Sequence, residues 1–118
     1  MQALRALMEA EFPPPGWRWS LEDLVDGAEV ATQRYGVVKS AGGSGGDVVR
    51  QPLFTLDFIG RKGGDRQETY KAAQRGIELL RESAGPVAIF EPGEATPTRS
   101  ADGRPIYSVA VAATLIDD

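Results

Sequence analysis

Two of the residue types that enzymes use most often as nucleophiles and bases are missing from this chain. It contains no cysteine and no histidine, which excludes Ser-His and Cys-His pairs, thiolate metal sites and disulfide bonds. Carboxylates remain as possible acids and bases. The candidates are Glu22, Asp23, Asp26, Asp57, Asp117 and Asp118. The first three read as a solvated helix face, so we predict no catalytic residue, no metal site and no cofactor, and hence a protein that is not an enzyme.

Asp57 stands inside an apolar run of strand length, Leu53 to Ile59. Successive side chains of a strand point to opposite faces, so Phe54, Leu56 and Phe58 share the core face while Asp57 lies on the other. We expect that other face to be partly wet or to meet another subunit. We also expect the Asp57 carboxylate to pair with an arginine there.

A glycine-rich run, Gly42-Gly43-Ser44-Gly45-Gly46, could expose backbone N–H groups to a phosphate. It lacks the Gly-Lys-Ser/Thr ending of a phosphate-binding loop, and no helical pattern follows it. Because glycine and serine have too little side chain to anchor in a core, we predict a mobile loop over Ala41–Asp47. We expect this loop to project from the end of the sheet and to become ordered against a neighbouring subunit.

Two short motifs have both a functional and a structural interpretation. The segment Arg61-Lys62-Gly63-Gly64 precedes a helix and could hold an anion, or it is a turn with charged tips. The segment Trp17-Arg18-Trp19 could stack on a base or a sugar, or its rings pack over the edge of a sheet. We favour the structural interpretation of both.

The elements that must position these residues are most regular between Gln51 and Ser83. Asp65 stands three residues before Glu68, which is the spacing of a capping box at a helix start. Apolar residues then recur at steps of three and four on one helix face. Those predicted to be buried are Tyr70, Ala73, Ile77 and Leu80. The opposite face carries Gln67, Lys71, Gln74, Arg75, Glu78 and Arg81. We expect it to meet water or a polar partner.

The rest of the chain alternates between helices and strands. A helix over Met1–Ala10 ends at the prolines that follow it, and Ser20 with Asp23 is predicted to cap a turn over Leu21–Val25. The predicted strands are 29–40, 48–59, 87–90, 96–100 and 106–116, with a turn at Pro92-Gly93. The second of these forms a hairpin with the first, and Pro52 within it requires an edge or a bulge. The last is predicted to be central, because both of its faces are apolar or small.

Length and charge limit the class of protein further. A chain of 118 residues suits a single domain, 1–118. Its net charge of −4 argues against specific nucleic-acid binding. There is no apolar stretch of signal-peptide or membrane-spanning length, so we expect no membrane partner and a protein that stays in the cytoplasm where it is made.

The order of these elements resembles the tail terminator and minor capsid proteins of long-tailed bacteriophages. The resemblance covers nearly the whole chain and is carried by Pro52–Gly60 with Arg66–Glu82, and by the closing Gly103–Val111 that leads to Thr114. It implies a sheet backed by helices on one face and no catalytic residues. It also implies a ring, usually of six copies, that sits on the last ring of the tail tube, stops tail growth and offers a surface for joining the head.

The predicted fold class is therefore α+β, with one antiparallel or mixed sheet of about four strands and helices packed on one face. We expect a structural virion protein at the tail-neck junction, a hexameric ring whose partners are the tail tube protein and the head-tail connector proteins. One alternative is another tail or neck component, such as a tail tube or head-completion protein. A second is a small cytoplasmic ligand-binding module in which Gly42–Asp47 closes over an anion.

Both signs of charge occur on one chain, so a head-to-tail contact between copies can repeat and close into a ring. The residues expected at that interface are Arg61, Lys62, Arg75, Glu78, Arg81, Glu22, Asp23, Gly43, Ser44 and Gly45. We expect the acidic pair to meet the basic helix face of the next subunit. Pro52 and Arg50 are expected to guard one edge of the sheet against unwanted pairing.

Overall fold

The computed structural model contains two helices and five strands among the residues it describes. In chain order these are α1 (Gln2–Glu11), β1 (Trp17–Leu21), β2 (Arg34–Gly45), β3 (Val49–Ile59), α2 (Arg66–Glu82), β4 (Ala88–Arg99) and β5 (Pro105–Ile116). The described residues are 2–14, 16–21, 33–45, 49–82, 88–99 and 103–116.

The five strands form one mixed sheet in the order β1-β2-β3-β5-β4. The β1 and β2 strands are parallel, and the other neighbouring pairs are antiparallel. Both helices contribute to one hydrophobic core, which lies on one face of the sheet. The predicted α+β class is confirmed, as is the internal position of the last strand. The sheet has five strands where about four were expected. The β1 strand adds to its edge, while the two strands predicted on either side of Pro92-Gly93 are one strand, β4.

The residues of β1 were expected to lead into a helical turn capped by Ser20. Ser20 and Leu21 instead complete β1, where they pair with Val37 and Val38. The remainder of the expected turn, residues 22–25, lies outside the described residues. The prediction is therefore wrong for Leu21, which main-chain pairing with β2 holds in the strand.

The prediction of a loop over the glycine-rich run is wrong for residues 41–45, which continue β2. Gly43, Ser44 and Gly45 pair with β3, opposite Pro52, Gln51 and Arg50 in turn. A strand ladder is built from backbone groups, so a run without side chains can extend a hairpin that its neighbours have already begun. The hairpin itself is confirmed, whereas residues 46–47 lie outside the described residues.

Pro52 lies beside an irregularity, as its missing N–H requires. Three steps along β2 from Ser40 to Gly43 match two steps along β3 from Phe54 to Pro52, so β2 carries one extra residue here. The expectation of a bulge is therefore confirmed. Its expected role in guarding an edge is wrong, because β3 lies between β2 and β5.

A second one-residue bulge replaces the turn predicted at Pro92-Gly93. The chain from Ala88 to Arg99 is one strand, and its register against β5 shifts between Pro92 and Ala95. The inserted residue reverses the alternation of faces. As a result Ala95 packs against the main core, while Glu94 is exposed.

The core on the helix side centres on the fully buried ring of Phe58. Its centroid lies 5.8 Å from that of Phe12, 5.9 Å from that of Trp17 and 5.5 Å from that of Trp19, each with the rings edge to face. Trp19 covers Gly36, where an added Cβ would lie 2.3 Å from the indole ring. The interpretation of the tryptophans as packing residues is confirmed, and they belong to the main core rather than to a satellite.

Helix α2 begins where the capping signal predicts. The backbone N–H of Gln67 donates to Oδ1 of Asp65 over 2.9 Å. The buried residues of the helix are Thr69, Ala73, Gly76, Ile77 and Leu80. Tyr70 was predicted to be buried but is 43% exposed, because the buried stripe runs through Thr69 and Gly76 and leaves Tyr70 at its margin. Its ring contacts that of Tyr107, with centroids 5.3 Å apart.

Replacing Gly76 with alanine should destabilise the subunit, although alanine is the better helix former by about 1 kcal/mol. The new Cβ would lie 2.7 Å from the Phe58 ring, which is held by aromatic neighbours and cannot retreat. We expect a net loss of roughly 1–3 kcal/mol, measured by urea unfolding. Lys71→Ala, on the exposed face of the same helix, serves as the control. A Gly76→Ala variant as stable as the parent would contradict this close approach of helix and sheet.

Leu80→Ala should cost roughly 2–5 kcal/mol, because Leu80 is completely buried between α2 and the sheet. Ile77→Ala should fall in the same range. Tyr70→Ala should cost less, about 1 kcal/mol, since the side chain is 43% exposed. Thermal unfolding of the three variants tests the order, and equal losses at positions 70 and 80 would refute the assignment of the helix faces.

Candidate assembly surface

The face of the sheet opposite the helices carries a buried carboxylate. Asp57 is 8% exposed, and its Oδ1 accepts a hydrogen bond from Oγ of Ser108 over 2.7 Å. Nζ of Lys39 lies 3.0 Å from its Oδ2. The expected arginine partner is therefore wrong, because the neighbouring strand places a lysine at this point of the sheet. The carboxylate joins β2, β3 and β5 on this face.

The two ends of this face differ in how far their apolar side chains are buried. Tyr35, Val37 and Ile59 form a second buried cluster near the start of β2, with Ile106 packed against it. Towards the other end Leu53 is 42% exposed, and a shallow, largely apolar groove of about 380 Å³ lies beside it. The part of the sheet around Leu53 is thus an open apolar surface.

The basic turn before α2 is fixed to the start of β5. The backbone N–H of Gly60 donates to the carbonyl of Pro105 over 2.9 Å, and that of Gly63 to the carbonyl of Gly103 over 3.3 Å. Nη1 of Arg104, a buried residue, donates to the carbonyl of Gly60 over 3.0 Å. Gly63 has a φ of +66°, a conformation that glycine adopts without strain. These contacts hold the turn rigidly.

Positive charge is concentrated around this turn, in a group that we call the basic end. Its members are Arg34, Arg61, Lys62 and Arg66. Oε1 of Glu68 lies 3.2 Å from Nη1 of Arg34 and 3.9 Å from Nη2 of Arg61. One carboxylate is therefore shared by two guanidinium groups, which leaves an excess of positive charge.

Negative charge is concentrated beside the second half of α2, in a group that we call the acidic end. Its members are Glu11 at the end of α1, and Glu78 and Glu82 of α2. Nε of Arg75 donates to Oε1 of Glu11 over 2.7 Å, and its Nη1 lies 3.4 Å from Oε2 of Glu78. The hydrogen bond and charge of Glu11 raise the pKa of Arg75, with further contributions from Glu78 and Glu82. Arg75 therefore stays charged throughout the working pH range, and it contacts two of the three carboxylates of this group.

Arg81 points away from the acidic end. It lines a groove of about 300 Å³ between α2 and the bulge of β4, together with Tyr70, Gln74 and Glu94. The groove is thus lined by one charge of each sign, Arg81 and Glu94.

The structure separates the interface residues that the sequence suggested. Arg61 and Lys62 lie at the start of α2, Arg75, Glu78 and Arg81 lie in its second half, and Gly43, Ser44 and Gly45 lie in the hairpin. Glu22 and Asp23 lie outside the described residues. Arg34 and Glu11 could not be foreseen from the sequence, because their partners are 34 and 64 residues away along the chain and no local pattern links them.

The described ranges contain neither a metal-binding cluster of side chains nor a membrane-spanning helix. In the part of the chain that the structure describes, no three acidic side chains come together in a way that could hold a metal ion. No helix among those same residues is long and apolar enough to cross a membrane.

Comparison with known protein families shows which family the chain belongs to. The profile of the phage tail termination protein family matches residues 1–117. The chain belongs to the phage tail termination protein family. This confirms the resemblance drawn from the order of elements. A comparison with curated proteins gave no match.

Membership of the tail termination family carries several consequences. The family is one of structural proteins, and it implies a virion component that interacts with tail and head-connector proteins. The surfaces described above are therefore candidates for protein contacts.

Arg75→Met should loosen α1 while leaving the sheet intact, because Arg75 ties α2 to the end of α1 through Glu11. We expect faster hydrogen exchange at the amides of α1, measured by mass spectrometry. Lys71→Met removes a positive charge from the exposed face of the same helix and should leave α1 protected. Unchanged exchange in the Arg75 variant would show that the ion pair with Glu11 does not hold the helix.

Proposed function

We propose that this tail termination protein forms a closed ring, of six copies, that caps the tail tube and joins it to the head-neck connector. The observation that carries the proposal is the match to the family over residues 1–117. A ring on the last ring of the tube would end tail growth by covering the surface on which the next tube ring adds. Its other face would be free to receive the connector.

The shape of the subunit supports contacts between unlike surfaces, which a ring requires. The two edges of the sheet differ: β1 has five residues beside a parallel neighbour, whereas β4 has twelve residues beside an antiparallel one. Pro92, Pro97 and the bulge interrupt the β4 edge, which disfavours the addition of another strand. This leaves side-chain surfaces as the better means of joining copies.

Of the alternatives, the ligand-binding module loses its main support. That hypothesis needs Gly42–Asp47 to close over an anion, but the residues up to Gly45 are engaged in a strand ladder with β3. The fold by itself does not discriminate between a terminator and another tail or neck component. The family match favours the terminator.

Native mass spectrometry and electron microscopy of the purified protein test the ring. We expect six copies and a closed particle, with the addition of tail tubes giving capped ends. A monomer or dimer whose melting temperature rises with phosphate would instead support the ligand-binding module.

A phage in which this gene is disrupted gives a second test. Its particles should show tails of variable, excessive length and heads that are not joined to tails, because nothing covers the growing end of the tube. Complementation with the intact gene is the control. Tails of normal length without the protein would exclude the proposed role.

A further inference from the structure

We propose that the basic end and the acidic end of α2 are the two halves of one contact between neighbouring copies of this chain. The inference rests on the proposed ring and assigns the surfaces that build it. The partner of the basic end is thus a second copy, and the residues it meets are Glu11, Glu78 and Glu82.

The charges at the two ends are complementary in kind and in arrangement. At the basic end Arg34 and Arg61 share the carboxylate of Glu68. Counting Lys62, Arg66 and the carboxylate of Asp65 as well, four basic residues stand against two acidic ones. At the acidic end Arg75 pairs with Glu11 and Glu78, and Glu82 adds a third negative charge. Each end therefore has charge left over that the other end can neutralise.

The two ends cannot neutralise each other within one subunit. Along the axis of α2, Arg66 lies about 18 Å from Glu78 and about 24 Å from Glu82, at a rise of about 1.5 Å per residue. Charges at these separations are screened in physiological salt. The helix dipole adds to this separation of charge, because it is positive at the start of α2 and negative at its end. Only a second copy, placed head to tail, can bring the basic end against the acidic end.

The basic end is also organised in advance. Its turn is held by Gly60 and Gly63 through their hydrogen bonds to the start of β5 and by the buried guanidinium of Arg104. A surface whose backbone is already fixed loses little entropy when it docks. The turn protrudes with Arg61 and Lys62 exposed, which suits contact with another folded surface.

The same basic group could attract a phosphate of a nucleic acid, which would be a different partner. A second copy is favoured because the chain as a whole carries a net charge of −4 and presents the complementary acidic group itself. Nucleic acid is repelled by that net charge at long range.

Paired charge reversals test the contact. One variant carries Arg61→Glu with Lys62→Glu, and the other carries Glu78→Lys with Glu82→Lys. Each variant alone should assemble at least about tenfold more weakly than the parent in sedimentation at low salt, because an attraction becomes a repulsion. An equimolar mixture should recover assembly, since each reversed end then meets a reversed partner.

The matched control is Arg18→Glu with Ala6→Glu, which makes the net charge more negative, as the first variant does. Arg18 lies exposed on β1 and Ala6 lies exposed on α1, and this control should assemble like the parent. Melting temperatures establish that each variant is folded. If a reversal variant does not fold, the neutral variant Arg61→Gln with Lys62→Gln replaces it. Its assembly should depend less on salt concentration than assembly of the parent does.

The outcomes separate this inference from the proposed ring. A parent that stays monomeric at low salt overturns both. A parental ring that both reversal variants form equally well overturns the contact alone, as does a loss that mixing does not recover. Binding of a duplex DNA oligonucleotide that is lost in the Arg61 and Lys62 variant while assembly is kept would assign the basic end to phosphate and overturn the contact between copies.

Discussion

The packing of Phe58 is the constraint on which the rest of the structure depends. Its ring lies in the middle of β3 and contacts the aromatic rings that follow α1 and begin β1. On its helix side it reaches the backbone of α2 at Gly76. One side chain therefore sets how closely α2 approaches the sheet and where the chain after α1 can lie. Because protein interiors are close packed, a change at this ring would be felt by both helices.

The two bulges adapt the sheet to this core. An extra residue in β2 accommodates Pro52 in an internal strand, and an extra residue in β4 turns Ala95 towards the core. Without the second bulge the alternation would place Glu94 on the helix side, at a cost in buried charge. The sheet thus keeps a continuous apolar face under α2, while its β4 edge becomes irregular and hard to extend.

The surface of the subunit follows from the position of α2. Packing the helix along the sheet brings its start to Arg34 and its second half to Glu11, so charges from separate parts of the chain gather at opposite ends of one rigid element. The family is one of structural virion proteins, so these surfaces are the candidates for its contacts with other proteins. Charged ends on a stiff helix give a neighbour both an orientation and a register.

The sequence by itself determined the features that depend on neighbours along the chain. The capped start of α2 at Asp65, the buried face through Ala73, Ile77 and Leu80, and the internal position of β5 follow from local spacing and local burial. The exclusion of Ser-His and Cys-His pairs and of disulfide bonds likewise follows from composition alone. The order of elements was enough to reveal the family, since order survives without any signature motif.

Only the tertiary structure decided features whose partners are far apart in the chain. The glycine run became a strand because β3 was there to pair with it, and Asp57 met Lys39 because the register of two strands placed them together. Tyr70 stayed exposed because the buried stripe of α2 is set by the sheet beneath it. Such outcomes rest on the free energy of contacts between distant residues, which spacing along the chain does not record.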